Sequence, residues 1–217
     1  DFNLNWNWDR STYLDLLKIN GGKNRISYYS KLINKSLNNK EVKEIHERKQ
    51  YHYINYVKKN NVVILKTGVA RLIKELKKKK VRQFIVTSSS KKQATLIINQ
   101  LFIEFNPFEF IISSDDVHFH KPNPLPYLKA MKLSGIKFNK SIVFEDSIPG
   151  LKSSLAAKLP TIYVPSNIPA VIEKDMNLDC YVDSLGNESC KANVIKGPKL
   201  DSNYVDCAYL EKYLMIF

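Results

Sequence analysis

Glu145 and Asp146 stand side by side directly after the apolar run Ile142-Val143-Phe144. Two adjacent carboxylates at the end of such a run are costly near a core unless a positive group meets them. A hard divalent cation such as Mg²⁺ can do so, taking one or two carboxylates and keeping several waters. A solvated loop with an N-capping acid is the plainer use of the same residues. Lys121, in Lys121-Pro122-Asn123-Pro124, comes after a second apolar run, Phe108 to Ile112, and leads into a helix whose first turn carries proline. A lysine fixed there could compensate the charge of a phosphate or carboxylate, although most lysines in a Lys-rich chain simply face water. Thr87-Ser88-Ser89-Ser90 separates a third apolar run, Val81 to Val86, from a helix starting at Lys91. Hydroxyls at a helix N-terminus make an anion cradle, or merely an N-cap.

These three clusters need elements to position them. From Leu72 onward the periodicity predicts a helix to Lys80, a strand over Val81–Val86, a helix over Lys91–Phe102 and a strand over Phe108–Ile112. A helix over Pro124–Leu133, a strand at Ile142–Phe144, a helix over Gly150–Lys158 and a strand at Thr161–Val164 follow. Strands alternating with helices of this length predict an α/β fold with a parallel sheet. Ligands bind beyond the carboxyl ends of such strands, and all three clusters lie there. Residues 1–66 read instead as a small helical unit. A first helix presents Tyr13, Leu16 and Leu17, with Asn20, and stops at Gly21-Gly22. A second, Arg25 to Leu37, presents Ile26, Tyr29, Ile33 and Leu37. A third, Glu41 to Lys59, presents Val42, Ile45, Lys49, His52 and Tyr56.

Spaced by 33 residues (Ser88 to Lys121) and 25 (Lys121 to Asp146), the three clusters resemble the second, third and fourth motifs of the haloacid-dehalogenase-like hydrolase superfamily. The fourth stands as Val143-Phe144-Glu145-Asp146-Ser147-Ile148-Pro149-Gly150, the third as Lys121-Pro122-Asn123-Pro124-Leu125-Pro126-Tyr127, and the second as Phe84-Ile85-Val86-Thr87-Ser88-Ser89-Ser90. Trp6-Asn7-Trp8 and Gly21-Gly22-Lys23-Asn24-Arg25-Ile26-Ser27-Tyr28-Tyr29 are similar to the cap of the CbbY-like sugar-phosphate phosphatases. The likeness extends through Thr161-Ile-Tyr-Val-Pro-Ser and Tyr204-Val-Asp-Cys-Ala-Tyr-Leu. It implies a helical cap domain over 1–66 and a Rossmann-like hydrolase core over 67–217.

The resemblance also implies a Mg²⁺-dependent phosphatase of small sugar phosphates working through an aspartyl-phosphate. Ser88 would bond the transferring phosphoryl group, helped by the Ser89 backbone, and Lys121 would meet phosphoryl and nucleophile charge. Asp146 would bind Mg²⁺, with Glu145 binding it directly or through water. Lys23 and Arg25, on the cap's Gly-Gly turn, would reach the substrate and a second phosphate. The family's first motif, an apolar strand followed by Asp-x-Asp-Gly, is not found. No strand precedes Asp1, and Asn3 stands where a second Asp would be. The sequence therefore predicts an N-terminally truncated core lacking its first strand, and a chain inactive as it stands. Leu125 where Asp is usual, and Lys158-Leu159 where Ala-Gly is usual, are lesser departures. The same scaffold serves sugar-phosphate mutases, and a non-catalytic sugar-phosphate binder is the reading outside catalysis.

Composition sets the remaining expectations. The 217 residues suffice for one domain and a small accessory one. The net charge of +13 invites nucleic acid or phosphorylated substrates. Only five of the 34 basic residues are Arg, however, and Lys, Asn and Ile are abundant together, as an AT-rich coding sequence gives. The Lys74–Lys80 run ends a predicted helix, where cations complement the dipole. No nucleic-acid recognition motif supports a nucleic-acid partner. No apolar run approaches the roughly 20 residues of a membrane span, and the first residues show no secretory signal. Cys180, Cys190 and Cys207, an odd number without a C-x-x-C, fit a reducing compartment. The expectation is a cytoplasmic or plastid-stromal monomer whose partner is a small phosphorylated sugar.

Overall fold

The computed structural model describes residues 2, 4–17, 19, 21–60, 62–166 and 176–217. The chain divides into two compact units, Asp1–Val62 and Val63–Phe217. Asp1, Asn3 and Asn20, which entered the sequence reading, lie outside the described residues.

The first unit is helical. Helix α1 (Arg10–Leu17) starts where the Asp9 carboxylate accepts the Thr12 N–H at 2.7 Å. Helix α2 (Gly22–Leu32) begins three residues earlier than the periodicity predicts, because Gly21, at φ 86°, turns the chain directly into it. Helix α3 (Asn39–Asn60) opens on a reciprocal cap: Asn38 Oδ1 accepts from the N–H groups of Lys40 and Glu41, and Glu41 Oε2 accepts from Asn38 N–H. Ile26, Val42 and Ile45 form the core, with Leu4, Trp6 and Leu37 packed around it. Trp6 and Trp8 each meet the Tyr29 ring edge-on. The expected face of α3 holds for its first two turns only. Further along, Ile54 and Val57 are buried, while Tyr56 is exposed. At about 100° per residue these two lie well around the helix from Ile45, so no single stripe describes α3.

The second unit is α/β. Its elements run α4 (Val69–Lys78), β1 (Ile85–Val86), α5 (Lys91–Leu101), β2 (Ile111–Ile112), α6 (Leu125–Ser134), β3 (Val143–Glu145), α7 (Ile148–Ala156), β4 (Thr161–Tyr163), β5 (Cys180–Val182), β6 (Val194–Lys196) and α8 (Cys207–Leu214). β1 pairs parallel with β2, Ile85 opposite Ile111, and flanking backbone bonds extend the pairing from Gln83 to Thr87. A second sheet has the order β3-β4-β5-β6, parallel except for β6. The expected parallel sheet is thus a mixed arrangement in two pieces. β5 and β6 are additions: both are three-residue strands, too short for periodicity to announce.

Ile162, Cys180 and Val182 on one side of the larger sheet pack with Leu72, Val205, Tyr209 and Tyr213. The Tyr213 hydroxyl accepts the Thr161 N–H and donates to the Thr161 carbonyl, anchoring α8 to β4. Arg71 ties α4 to the segment before α8 and to the loop after β5, donating to the carbonyls of Val205 and Leu185 with its guanidinium 4.1 Å from the Tyr204 ring centroid. Val86 of β1 and Val143 of β3 both pack against Tyr127, Ala157 and Leu159. That shared cluster links β1, in one sheet, to β3, in the other. No helix among the described residues is long and apolar enough to cross a membrane.

Candidate active site

The loops after β1, β2 and β3 converge as the strand-end rule requires. After β1, Ser90 caps α5, accepting from Gln93 N–H. After β2, Ser113 donates its N–H and hydroxyl to the Asp116 carboxylate, at 2.7 and 2.6 Å. The two loops are tied together: Ser114 N–H reaches the Ser89 carbonyl, and Lys91 N–H reaches Asp115 Oδ2. Thr87 to Ser89 is thereby held by a second loop.

A cleft of about 270 Å³ opens at these ends, lined by Val86, Thr87, Ser88, Ser89, Lys121 and Phe144–Ser147. Five residues singled out by the sequence share it: Ser88, Ser89, Lys121, Glu145 and Asp146. Ser88, Ser89 and Asp146 are exposed, whereas Lys121 and Glu145 are buried. The Lys121 ammonium donates to the Val86 carbonyl at 2.9 Å, to the Tyr127 hydroxyl at 3.3 Å and to Glu145 Oε1. An ammonium has three N–H groups, so all are used. Tyr127 donates its hydroxyl to the same Glu145 oxygen. Burial, and then the Glu145 charge, push the Tyr127 phenol well above its ordinary value, keeping it a donor. The Lys121–Pro122 peptide is cis.

Two placements differ from expectation. The Ser89 N–H, expected to face a phosphoryl group, donates to Thr87 Oγ1 at 3.1 Å. Glu145, expected on a metal, lies in the ion pair with Lys121, and its carboxylate packs over Gly150, where there is no room for a Cβ. Lys23 and Arg25 lie in the first unit, on α2.

A family model for haloacid dehalogenase-like hydrolases matches residues 18–164. The chain belongs to the haloacid dehalogenase-like hydrolase family. Protein CbbY of Rhodobacter capsulatus is 30% identical over 165 residues, covering 75% of this chain and 72% of that protein. A CBBY-like protein of Arabidopsis thaliana is 29% identical over 194 residues, covering 85% and 60%. The crystal structure of a mutant CbbY from Rhodobacter sphaeroides, in complex with xylulose-(1,5)bisphosphate, superposes with a TM-score of 0.74 at 26% identity, covering 85% of this chain and 84% of that one. By this resemblance the chain is classed with the CbbY-like hydrolases and phosphatases.

For a hydrolase of this family, the donors available to a metal decide how much of the chemistry the cleft can hold. Among the described residues no group of three or more His, Cys, Asp or Glu side chains could hold a metal ion. Asp146 does offer one exposed carboxylate beside the hydroxyls. Mg²⁺ needs no more than one or two carboxylates when waters and substrate phosphate complete its shell, so the residues fit such an ion. Tyr127 closes the third motif, yet sequence reasoning assigned it no role. Its signal was the six-residue step from Lys121, which carries the chain from the loop onto the first turn of α6. His46, on α3, was not singled out at all.

Proposed function

We propose that this chain carries the scaffold of a Mg²⁺-dependent phosphatase of small sugar phosphates. The observation that carries the reading is Lys121, fixed by Glu145 and Tyr127 between the Ser88–Ser89 hydroxyls and the Asp146 carboxylate. A hydroxyl cradle, a fixed cation and an open carboxylate at the converging ends of three strands match a phosphoryl group and its counter-ion. Support for a sugar phosphate comes from the CbbY structure that holds a sugar bisphosphate.

In this reading Ser88 donates its hydroxyl to a phosphoryl oxygen, and the Ser89 hydroxyl acts in place of the N–H that Thr87 holds. Lys121 exchanges its bond to the Val86 carbonyl for a second phosphoryl oxygen, keeping Glu145 and Tyr127 as anchors. Asp146 would hold Mg²⁺, which when bound would offset the negative charge of the phosphoryl oxygens. Glu145 holds Lys121. Lys23 and Arg25 meet a second phosphate of the substrate. Among the described residues the acidic groups lining the cleft are Glu145 and Asp146, each with a task of its own. In this reading the 217-residue chain binds the phosphorylated sugar without turning it over. A reducing compartment, cytoplasm or plastid stroma, suits the three free thiols.

Titration calorimetry tests this. Inorganic phosphate should bind more tightly with Mg²⁺ than with EDTA, and the Mg²⁺-dependent part should vanish in Lys121→Met and Asp146→Asn. Phosphate binding indifferent to Mg²⁺ and to both substitutions would overturn the proposal, and phosphate release from a sugar phosphate would overturn the inactivity.

A further inference from the structure

Val42, Ile45, His46 and Lys49 recur at i, i+3, i+4 and i+7 along α3, so they share one face. Val42 and Ile45 bury that face against Ile26 of α2. His46 carries it to the start of α2: a Cβ on Gly22 would stand 2.5 Å from the His46 Nε2. The glycine is what lets the imidazole close on this turn. Lys23 and Arg25 belong to the same first turn of α2. Arg25 is half-buried and anchored, its Nε donating to the Ile19 carbonyl at 3.0 Å.

The charged groups facing the imidazole are therefore Lys23 and Arg25 from α2, and Lys49 and Glu47 from α3. Three are cations. The one acid, Glu47, also lies 3.9 Å from Lys43. Burial holds His46 below its ordinary value, and Lys49, Lys23 and Arg25 push it the same way against Glu47. Lys49 is held low by burial and then by Arg25. Positive groups collected on two packed helices repel one another. A multiply charged anion settling among them would reverse the sign of the field at the imidazole.

We propose that His46 is the proton-linked member of an oxyanion site on α2 and α3, where Lys23, Arg25 and Lys49 hold a dianion and His46 takes up a solvent proton as it binds. This rests on the reading that the chain meets a phosphorylated ligand. It adds a specificity rule: doubly charged oxyanions are favoured as the pH falls through the titration of His46. The sign follows from linkage. The bound state has the higher His46 pKa, so affinity rises on acidification until the free imidazole is itself protonated.

The test uses the whole 217-residue chain and sulfate, which stays a dianion from pH 5 to 8. The four histidines are followed by NMR through that range, with and without saturating sulfate, His46→Gln assigning the signal. The His46 midpoint should rise by about one unit with sulfate, making binding about tenfold tighter below the free-state midpoint than above the sulfate-bound one. His46→Gln should bind sulfate with little pH dependence, and Lys49→Met should bind it more weakly throughout. Ser88→Ala, in the other unit, should leave the titration as in wild type. If phosphate fails to bind the core cleft with Mg²⁺, the proposed function falls while the His46 shift still stands. A His46 midpoint that sulfate does not move, or a His46→Gln chain keeping the wild-type pH dependence, overturns this inference.

Discussion

Lys121, in the loop after β2, and Glu145, the last residue of β3, form an ion pair 24 residues apart in sequence whose side chains are 7% and 5% exposed. The same ammonium donates to the carbonyl of Val86, at the end of β1. One lysine thus joins the ends of two strands that belong to different sheets. It is at once a structural tie and the fixed charge of the proposed phosphate cleft.

Removing one member of a buried pair leaves the other uncompensated, at a cost of about 3–5 kcal/mol. Lys121→Met should lower the unfolding free energy by that order, measured by urea denaturation. Replacing both partners by apolar residues of similar size is often neutral. The double variant Lys121→Met/Glu145→Leu should therefore recover most of the stability while binding no phosphate in the core cleft. A double variant as unstable as the single one would show that the pair is not the source of the loss.

Gly150 and Gly135 should respond to alanine for different reasons. A Cβ on Gly150 would run into the Glu145 carboxylate, which cannot retreat without releasing Lys121 and Tyr127. Around Gly135 there is open space, but its φ of 68° is left-handed. Gly135→Ala should cost about 1–2 kcal/mol, through backbone strain alone. Gly150→Ala should cost about 1–3 kcal/mol by overpacking and should also weaken Mg²⁺-dependent phosphate binding. Unfolding curves and calorimetry on the pair separate the two effects, since only Gly150 packs on a residue that lines the cleft.

Much of the site was legible because its residues follow apolar runs, and strand ends converge in an α/β unit. The partner of each carboxylate was less so, although the signal existed. Side chains alternate along a strand, so Glu145 points to the same side as Val143, which packs against Tyr127. That side leads to Lys121, and Asp146 turns out to solvent. For β5 the trace was too short to read: Cys180 and Val182 are buried in one cluster, and Leu178, before the strand, packs in another. β6 gave none, with Ile195 and Lys196 exposed. In the helical unit, the Gly21-Gly22 pair reads equally well as a stop or a start. The φ of Gly21 and the packing of Gly22 on His46 together show why the second glycine belongs to α2.

The three thiols should separate by reactivity. Cys190 is exposed, and Cys180 and Cys207 are buried. Burial, together with the Glu75 carboxylate, pushes the Cys207 thiol up to about 12. Burial also raises Cys180. Because the thiolate is the reactive form, iodoacetamide at pH 8 should modify Cys190 first, and the other two only on unfolding. Mass spectrometry over time in increasing urea gives the check. Early alkylation of Cys207 in the folded chain would mean that α8 opens locally without global unfolding.

Asp116 sets an acid limit on the loop after β2. Its carboxylate accepts both the N–H and the hydroxyl of Ser113, which is 0% exposed. The Ser113 hydroxyl, then its N–H, with Lys91 and Lys129 beyond, hold the acid below its ordinary value of 3.8. A folded-state pKa that is depressed contributes stability above the unfolded value and loses it as pH falls through the folded one. The wild-type chain should therefore shed this contribution below about pH 4, and Asp116→Asn should show a shallower loss there. Asp116→Ala leaves two buried Ser113 donors unpaired and should cost about 1–3 kcal/mol at pH 7. Because Ser114 and Asp115 tie this loop to Ser89 and Lys91, the alanine variant should also loosen the hydroxyl cradle. Faster amide exchange at Ser88–Lys91 in Asp116→Ala would show that coupling, and unchanged exchange would refute it.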